Sequence, residues 1–172
     1  MHFKIPRVST HIACVQLLVE NKGRYFICVR GANDRNKRMV LKFFIKTQKV
    51  DLVCIQETKI QDVSLGVVQS LRTGRFIEWG VVNARGASEG IVVFWDSRVL
   101  ELVGMEVGVF SISCQFKNYD DGFVWFFTGV YGPTQRVVRE DFWAELGAIR
   151  GLWNGLCWGW LQCCKIPLGG VF

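Results

Sequence analysis

Histidine is almost missing from this chain: of 172 residues only His2 and His11 carry an imidazole, and aspartate stops at Asp141. Chemistry that needs a histidine or an aspartate in the last thirty residues is therefore excluded. The seven cysteines (14, 28, 54, 114, 157, 163 and 164) form neither a Cys-x-x-Cys pair nor a Cys/His zinc spacing. Their odd number, several inside apolar runs, fits free thiols in a reducing, intracellular setting better than a disulfide framework. Cys157, Cys163 and Cys164 cluster, but Lys165 is the only charge nearby to lower a thiol pKa. No stretch without charge, Gly151 to Cys164 included, exceeds 14 residues, short of the roughly 20 that span a bilayer. The amino terminus is weakly apolar, is interrupted by His11 and has no small-residue cleavage site, so no secretory signal is expected.

What is present is a core. Half of the residues are apolar, with 13 Phe and 7 Trp, and a chain of this length buries roughly 70% of its unfolded surface as one domain. Charge is unevenly placed. Residues 1 to 50 hold 11 Lys and Arg against 2 acids, whereas 51 to 172 hold 10 against 13. A basic amino-terminal third suits a polyanionic partner such as nucleic acid.

Residues 33 to 49 read as a helix that Asn33 or Asp34 caps. Val40, Leu41, Phe43, Phe44 and Ile45 are expected on its core side, with Arg35, Arg38, Lys42, Lys46 and Lys49 opposite. That basic face is either simply solvated or a nucleic-acid contact surface. Val50 to Ile55 reads as a short buried strand and Val63 to Leu71 as a helix. Five strand-length runs rich in β-branched and aromatic residues follow: "RFIEWGVVN", "EGIVVFW", "VLELVGMEVG", "VFSISCQF" and "GFVWFFTGVY". "NYDDG" before the last is the strongest hairpin signal. After the Gly132-Pro133 turn, residues 136 to 150 read as a second amphipathic helix with Val138, Phe142, Leu146 and Ile149 on one face. The order predicts a layered α/β (α+β) sandwich. The Trp/Cys/Gly-rich end, 154 to 172, has no period of 2 or 3.6.

In "VDLVCIQETKI" the apolar alternation of Val50, Leu52, Val53 and Ile55 stops at Gln56-Glu57-Thr58-Lys59. The acid at this strand end either caps the next helix or holds a metal ion. Both readings remain open from the residues alone.

Three stretches taken together, "CVRGANDRNKRMVLKFFIKTQKVDLVCIQETKI", "SEGIVVFWDS" and "FFTGVYGPTQRVVREDFWAEL", resemble the amino-terminal part of the endonuclease/exonuclease/phosphatase superfamily, most closely the endonuclease domain of plant LINE-type (non-LTR) retrotransposons. The likeness covers roughly residues 24 to 153, leaving 1 to 23 unmatched and 154 to 172 as an aberrant tail. It implies two packed, mainly antiparallel sheets with outer helices, and hydrolysis of phosphate esters with Mg²⁺. Glu57 then corresponds to a metal-ligating glutamate, Lys59 to a residue supporting that carboxylate, and Tyr131 to a tyrosine whose hydroxyl reaches the scissile phosphate. Arg30, Arg38, Lys42 and Lys46 become possible nucleic-acid contacts. DNA is the implied partner and the nucleus the implied compartment, with no membrane and no small-molecule cofactor.

The chain departs from the family at Cys28, where relatives carry an asparagine, and it lacks the later Gly-Asp-Phe-Asn-like and Ser-Asp-His-like motifs. The expectation is a truncated, inactive Mg²⁺-dependent phosphodiesterase domain. The alternatives are a catalytically dead nucleic-acid-binding module, or a weak nuclease completed by another chain. Truncation also predicts an apolar sheet face that only the Trp-rich tail can shield, and with it exposed hydrophobic surface and poor solubility.

Overall fold

The computed structural model describes residues 15–20, 24–30, 35–58, 65–71, 77–83, 90–132, 138–152 and 160–163. Its elements in order are β1 (Val15–Glu20), β2 (Arg24–Arg30), α1 (Arg35–Gln48), β3 (Leu52–Thr58), α2 (Leu65–Leu71), β4 (Ile77–Val82), β5 (Gly90–Asp96), β6 (Leu100–Val107), β7 (Ser111–Asn118), β8 (Val124–Val130), α3 (Arg139–Leu152) and β9 (Trp160–Cys163). One sheet has the order β1-β2-β3-β5-β4 and the other β6-β7-β8-β9. Only β2 with β3 and β8 with β9 run parallel. Each parallel pair is joined through a helix, α1 in the first sheet and α3 in the second, as parallel neighbours require. The expected layered α+β sandwich is the observed architecture.

Side-chain alternation builds the layers. Along β3, Leu52 and Cys54 enter the core between the sheets, while Val53 and Ile55 join the layer under the helices with Leu41, Ile45, Val68 and Leu71. From the second sheet Ile112, Cys114, Phe116, Trp125 and Phe127 complete the inter-sheet core. Trp95 meets Phe116 edge-on at 5.5 Å, and Phe116 meets Trp125 at 5.3 Å. Among the described residues the inner faces of the two sheets cover each other, while Val103, Met105, Val107 and Val124 of the second sheet stay 40% or more exposed. Gly129 makes the close approach possible, because a Cβ there would stand 3.0 Å from the Cys54 sulfur.

One sequence expectation changes. Val40 and Phe43 of α1 are not in the core; they are 49% and 70% exposed. The five apolar residues of that helix spread over about 200° of its circumference at 100° per residue, more than one sheet face covers, and the sheet takes Leu41, Phe44 and Ile45. The segments outside the family resemblance each supply a strand, which leaves that expectation as it stood: β1 pairs antiparallel with β2, and β9 lies beside β8.

The other elements follow their signals closely. α1 ends at Lys49 in a left-handed conformation (φ 49°), where the Val50 N–H reaches back to the Ile45 carbonyl at 3.2 Å, the bond that closes a helix carboxyl end. "NYDDG" makes the β7 to β8 hairpin. Gly122 adopts φ 69°, and Trp125 Nε1 donates to Asn118 Oδ1 at 2.8 Å.

Candidate functional site

The two parallel pairs bring four strand ends together. In the first sheet Arg30, the last residue of β2, lies opposite Gln56 of β3. In the second, Val130, the last residue of β8, lies opposite Cys163 of β9. Gln56 joins the sheets: its side chain is fully buried, and Nε2 donates to the Val130 carbonyl at 2.9 Å. A buried amide needs such a partner, because leaving it unmet costs about 1 to 3 kcal/mol. The carboxyl ends of β2, β3, β8 and β9 therefore converge at one end of the sandwich. The "QET" and "VYG" stretches, 74 residues apart, become neighbours there.

Local irregularity shapes that end. Between Ile55, opposite Val92, and Thr58, opposite Gly90, β3 has one more residue than β5. Gln56 and Glu57 are the two residues of this bulge, a device that frequently flanks active sites and terminates pairing. Tyr131 follows Val130, is 3% exposed within the inter-sheet core, and its N–H donates to the Phe110 carbonyl at 2.8 Å.

Helix α3 fixes this turn from outside. The Glu145 carboxylate accepts the Val109 N–H at 2.9 Å, the Phe110 N–H at 3.1 Å and the Ser111 hydroxyl. A Cβ on Gly108 would displace that carboxylate. Phe110 and Phe142 meet edge-on at 5.8 Å, and Phe142 is fully buried with Val130. Phe110 thus links α3 to Tyr131 by its amide on one side and its carbonyl on the other.

The candidate residues divide accordingly. Glu57 and Arg30 occupy backbone positions at the convergent end, with Tyr131 beside them. Cys28 does not: it pairs with Cys54, two residues short of the strand end. Lys59 lies outside the described residues. On α1, Arg38 and Lys42 are half-buried along the margin of the packed stripe, and Lys46 is exposed with Arg35, so the basic residues do not form one outward face. Gln56, Gly108 and Glu145 were missed by sequence reasoning. Gln56 carried a signal, an amide in an apolar strand just before the acid, whereas Glu145 looked like any helix-surface acid.

The donor set can be tested against Mg²⁺. That ion takes oxygen ligands in near-octahedral geometry. Glu57 is the one carboxylate on the strand segments meeting here; Cys28 would offer a thiol and Arg30 a cation. No group of three or more His, Cys, Asp or Glu side chains comes together among the described residues. The described residues do not by themselves fit a Mg²⁺ site. Thiol chemistry fares no better in the core, where burial pushes the Cys114 pKa up to about 12 and leaves the protonated, unreactive form.

The four-layer arrangement, helices outside two face-to-face sheets with strand ends gathered at one pole, defines the class of fold before any comparison. It is the fold of endonuclease/exonuclease/phosphatase proteins. The chain is similar to an endonuclease/exonuclease/phosphatase family protein from Bacteroides thetaiotaomicron, with a TM-score of 0.57 at 14% identity over 77% of this chain and 56% of that one. A mannosyl-6-phosphatase of Bacteroides thetaiotaomicron VPI-5482 superposes with a TM-score of 0.57 at 14% identity, covering 76% and 57%. TDP2 of D. rerio, humanized by 14 mutations, gives 0.55 at 13% identity, covering 76% and 56%. The chain thus spans a little over half the length of these solved proteins. No family model and no curated protein sequence matches it. No described helix is long and apolar enough to cross a membrane.

Proposed function

We propose that this chain carries the amino-terminal portion of a nuclease-type phosphodiesterase domain of the LINE retrotransposon kind, keeping the framework of the phosphate-binding end without the groups that would activate water. The observation that carries this reading is the convergence of the β2, β3, β8 and β9 ends around the Gln56 to Val130 bond. In open α/β sheets ligands bind beyond the carboxyl ends of parallel strands; each sheet here has one such pair, and the residues of β2, β3 and β8 gathered there belong to the stretches on which the family resemblance rests. The fold likeness supports the superfamily; the retroelement origin rests on the sequence resemblance.

By the sequence resemblance Glu57 would offer one oxygen to Mg²⁺, Lys59 would support that carboxylate and Tyr131 would contact a phosphate; a single carboxylate does not make a Mg²⁺ site by itself. Arg30, whose backbone lies opposite Gln56, adds a cation for which a phosphate rather than a metal is the natural partner. Cys28 replaces an amide that the family uses. β9 lies where the family's strand with the Gly-Asp-Phe-Asn-like ending would follow the helix, yet it carries Trp160-Leu161-Gln162-Cys163, with no acid to orient a nucleophile. The intracellular, nuclear setting belongs to the same proposal.

Magnitude sets the expected activity. Phosphate ester hydrolysis needs barrier lowering toward the upper part of about 8 to 23 kcal/mol or beyond. A single missing acid or base commonly costs about 10² to 10⁴ in rate, and here the orienting acid and the histidine base are both lacking. The 172-residue chain is expected to leave supercoiled plasmid uncut in Mg²⁺ at family-like enzyme concentrations. Nicking that EDTA abolishes and that Glu57→Gln removes would show that the site is complete and overturn the inactive reading.

A further inference from the structure

Helix α1 presents an outward surface that its packing role leaves unused. From Arg35 to Lys49 the chain has six Lys and Arg and no acid. Facing away from the sheet are Met39, 58% exposed, and Phe43, 70% exposed, with exposed Arg35 and Lys46 at either end. These four sit at i, i+4, i+8 and i+11, which is one line along a helix, about 16 Å long at 1.5 Å per residue. A cation, a thioether, a phenyl ring and a cation thus follow one another. The line starts five residues after Arg30, so its amino-terminal end lies nearest the convergent strand ends.

We infer that this line is a track for single-stranded nucleic acid, in which Phe43 stacks on a base while Arg35 and Lys46 hold the flanking phosphates. The charge of the helix selects a polyanion, because its five cations have no acid on the same element. The ring selects the form of the polyanion. A duplex hides its base faces and would contact the cations while leaving an exposed phenyl without a role, whereas unpaired bases stack on aromatic side chains regardless of sequence. An anionic membrane surface would also use basic and apolar groups together, but three exposed apolar side chains, Met39, Val40 and Phe43, give it a small footprint. The inference takes from the proposed function only that the ligand is a nucleic acid and needs no hydrolysis.

The test is fluorescence anisotropy in EDTA with a labelled single-stranded oligonucleotide of about twelve bases in mixed sequence, the matching duplex, and vesicles of phosphatidylserine and phosphatidylcholine. Single-strand binding should exceed duplex binding. Phe43→Ala should weaken single-strand binding about tenfold and leave duplex binding unchanged, with Phe43→Tyr restoring it. Arg35→Gln with Lys46→Gln should lower the salt slope by about 0.7 for each phosphate no longer neutralised. All four positions are exposed, and an unchanged unfolding midpoint would confirm that the variants fold. Equal binding of both nucleic-acid forms, indifference to Phe43→Ala, binding to vesicles alone, or no binding would each overturn the inference. Because EDTA removes divalent metal, none of these results depends on the outcome of plasmid nicking.

Discussion

Asp96 closes the turn from β5 to β6, its oxygens accepting the Arg98 backbone N–H at 3.0 Å, Nε at 2.9 Å and Nη2. The side-chain hydrogen bonds from Arg98 hold the Asp96 pKa below the ordinary carboxylate range, against the opposing effect of burial. A carboxylate whose folded pKa is depressed stabilises the fold above its unfolded pKa, and that contribution is lost as pH falls through the lower folded value. Asp96→Asn should therefore be less stable than the parent at about pH 7, with the gap closing as pH drops below about 4. Urea unfolding at a series of pH values checks this; a gap that stays constant down to about pH 2.5 would contradict it. Phe43 shows what a residue's own chemistry does not reveal. Its apolar character suggested the core, yet a helix offers a sheet only one stripe, and the neighbouring Leu41, Phe44 and Ile45 already fill it.

At the scale of elements, α3 is held to the second sheet by apolar contact and by one carboxylate. Val138, Phe142, Leu146 and Ile149 were legible as its packing face from their spacing. Phe142 and Ile149 are indeed buried, with Val138 and Leu146 packed around Phe142. The polar half of the docking was not legible, because Glu145 finds its donors in a turn 34 to 36 residues earlier, and no local pattern reports such a distance. Hydrogen bonds to a charged acceptor contribute about 1.5 to 3 kcal/mol each when one side is removed. Glu145→Ala is expected to cost about 2 to 4 kcal/mol as the turn amides lose their acceptor. Gly108→Ala, which displaces the same carboxylate, should cost a similar amount. The double variant should fall well short of the sum, since both changes break one interaction. Additive losses in denaturant melts would show that the two residues act independently.

For the whole molecule, some elements were readable from a period of 2 or 3.6 and others, such as the fully buried β5, from β-branched and aromatic enrichment; the hairpin at Asn118 to Gly122 has its turn chemistry in plain sight. β1 and β9 were not readable as parts of the fold, since they are defined by pairing with β2 and β8 rather than by their own sequence. The site was half legible: "QET" and "VYG" stood out by resemblance, but their meeting depends on Gln56 crossing between sheets. The register also puts Arg30, and not Cys28, beside them. The central claim is that this buried amide locks the two strand ends into one pole. Its most direct measurement is solution NMR of the Gln56 side-chain amide, labelled with heavy nitrogen. The account predicts a slowly exchanging Nε2 proton with a nuclear Overhauser contact to the Val130 to Tyr131 backbone, abolished in Gln56→Leu along with protection of the Tyr131 amide. A Gln56 amide that exchanges at the rate of an exposed glutamine, without any such contact to Val130 or Tyr131, would contradict it.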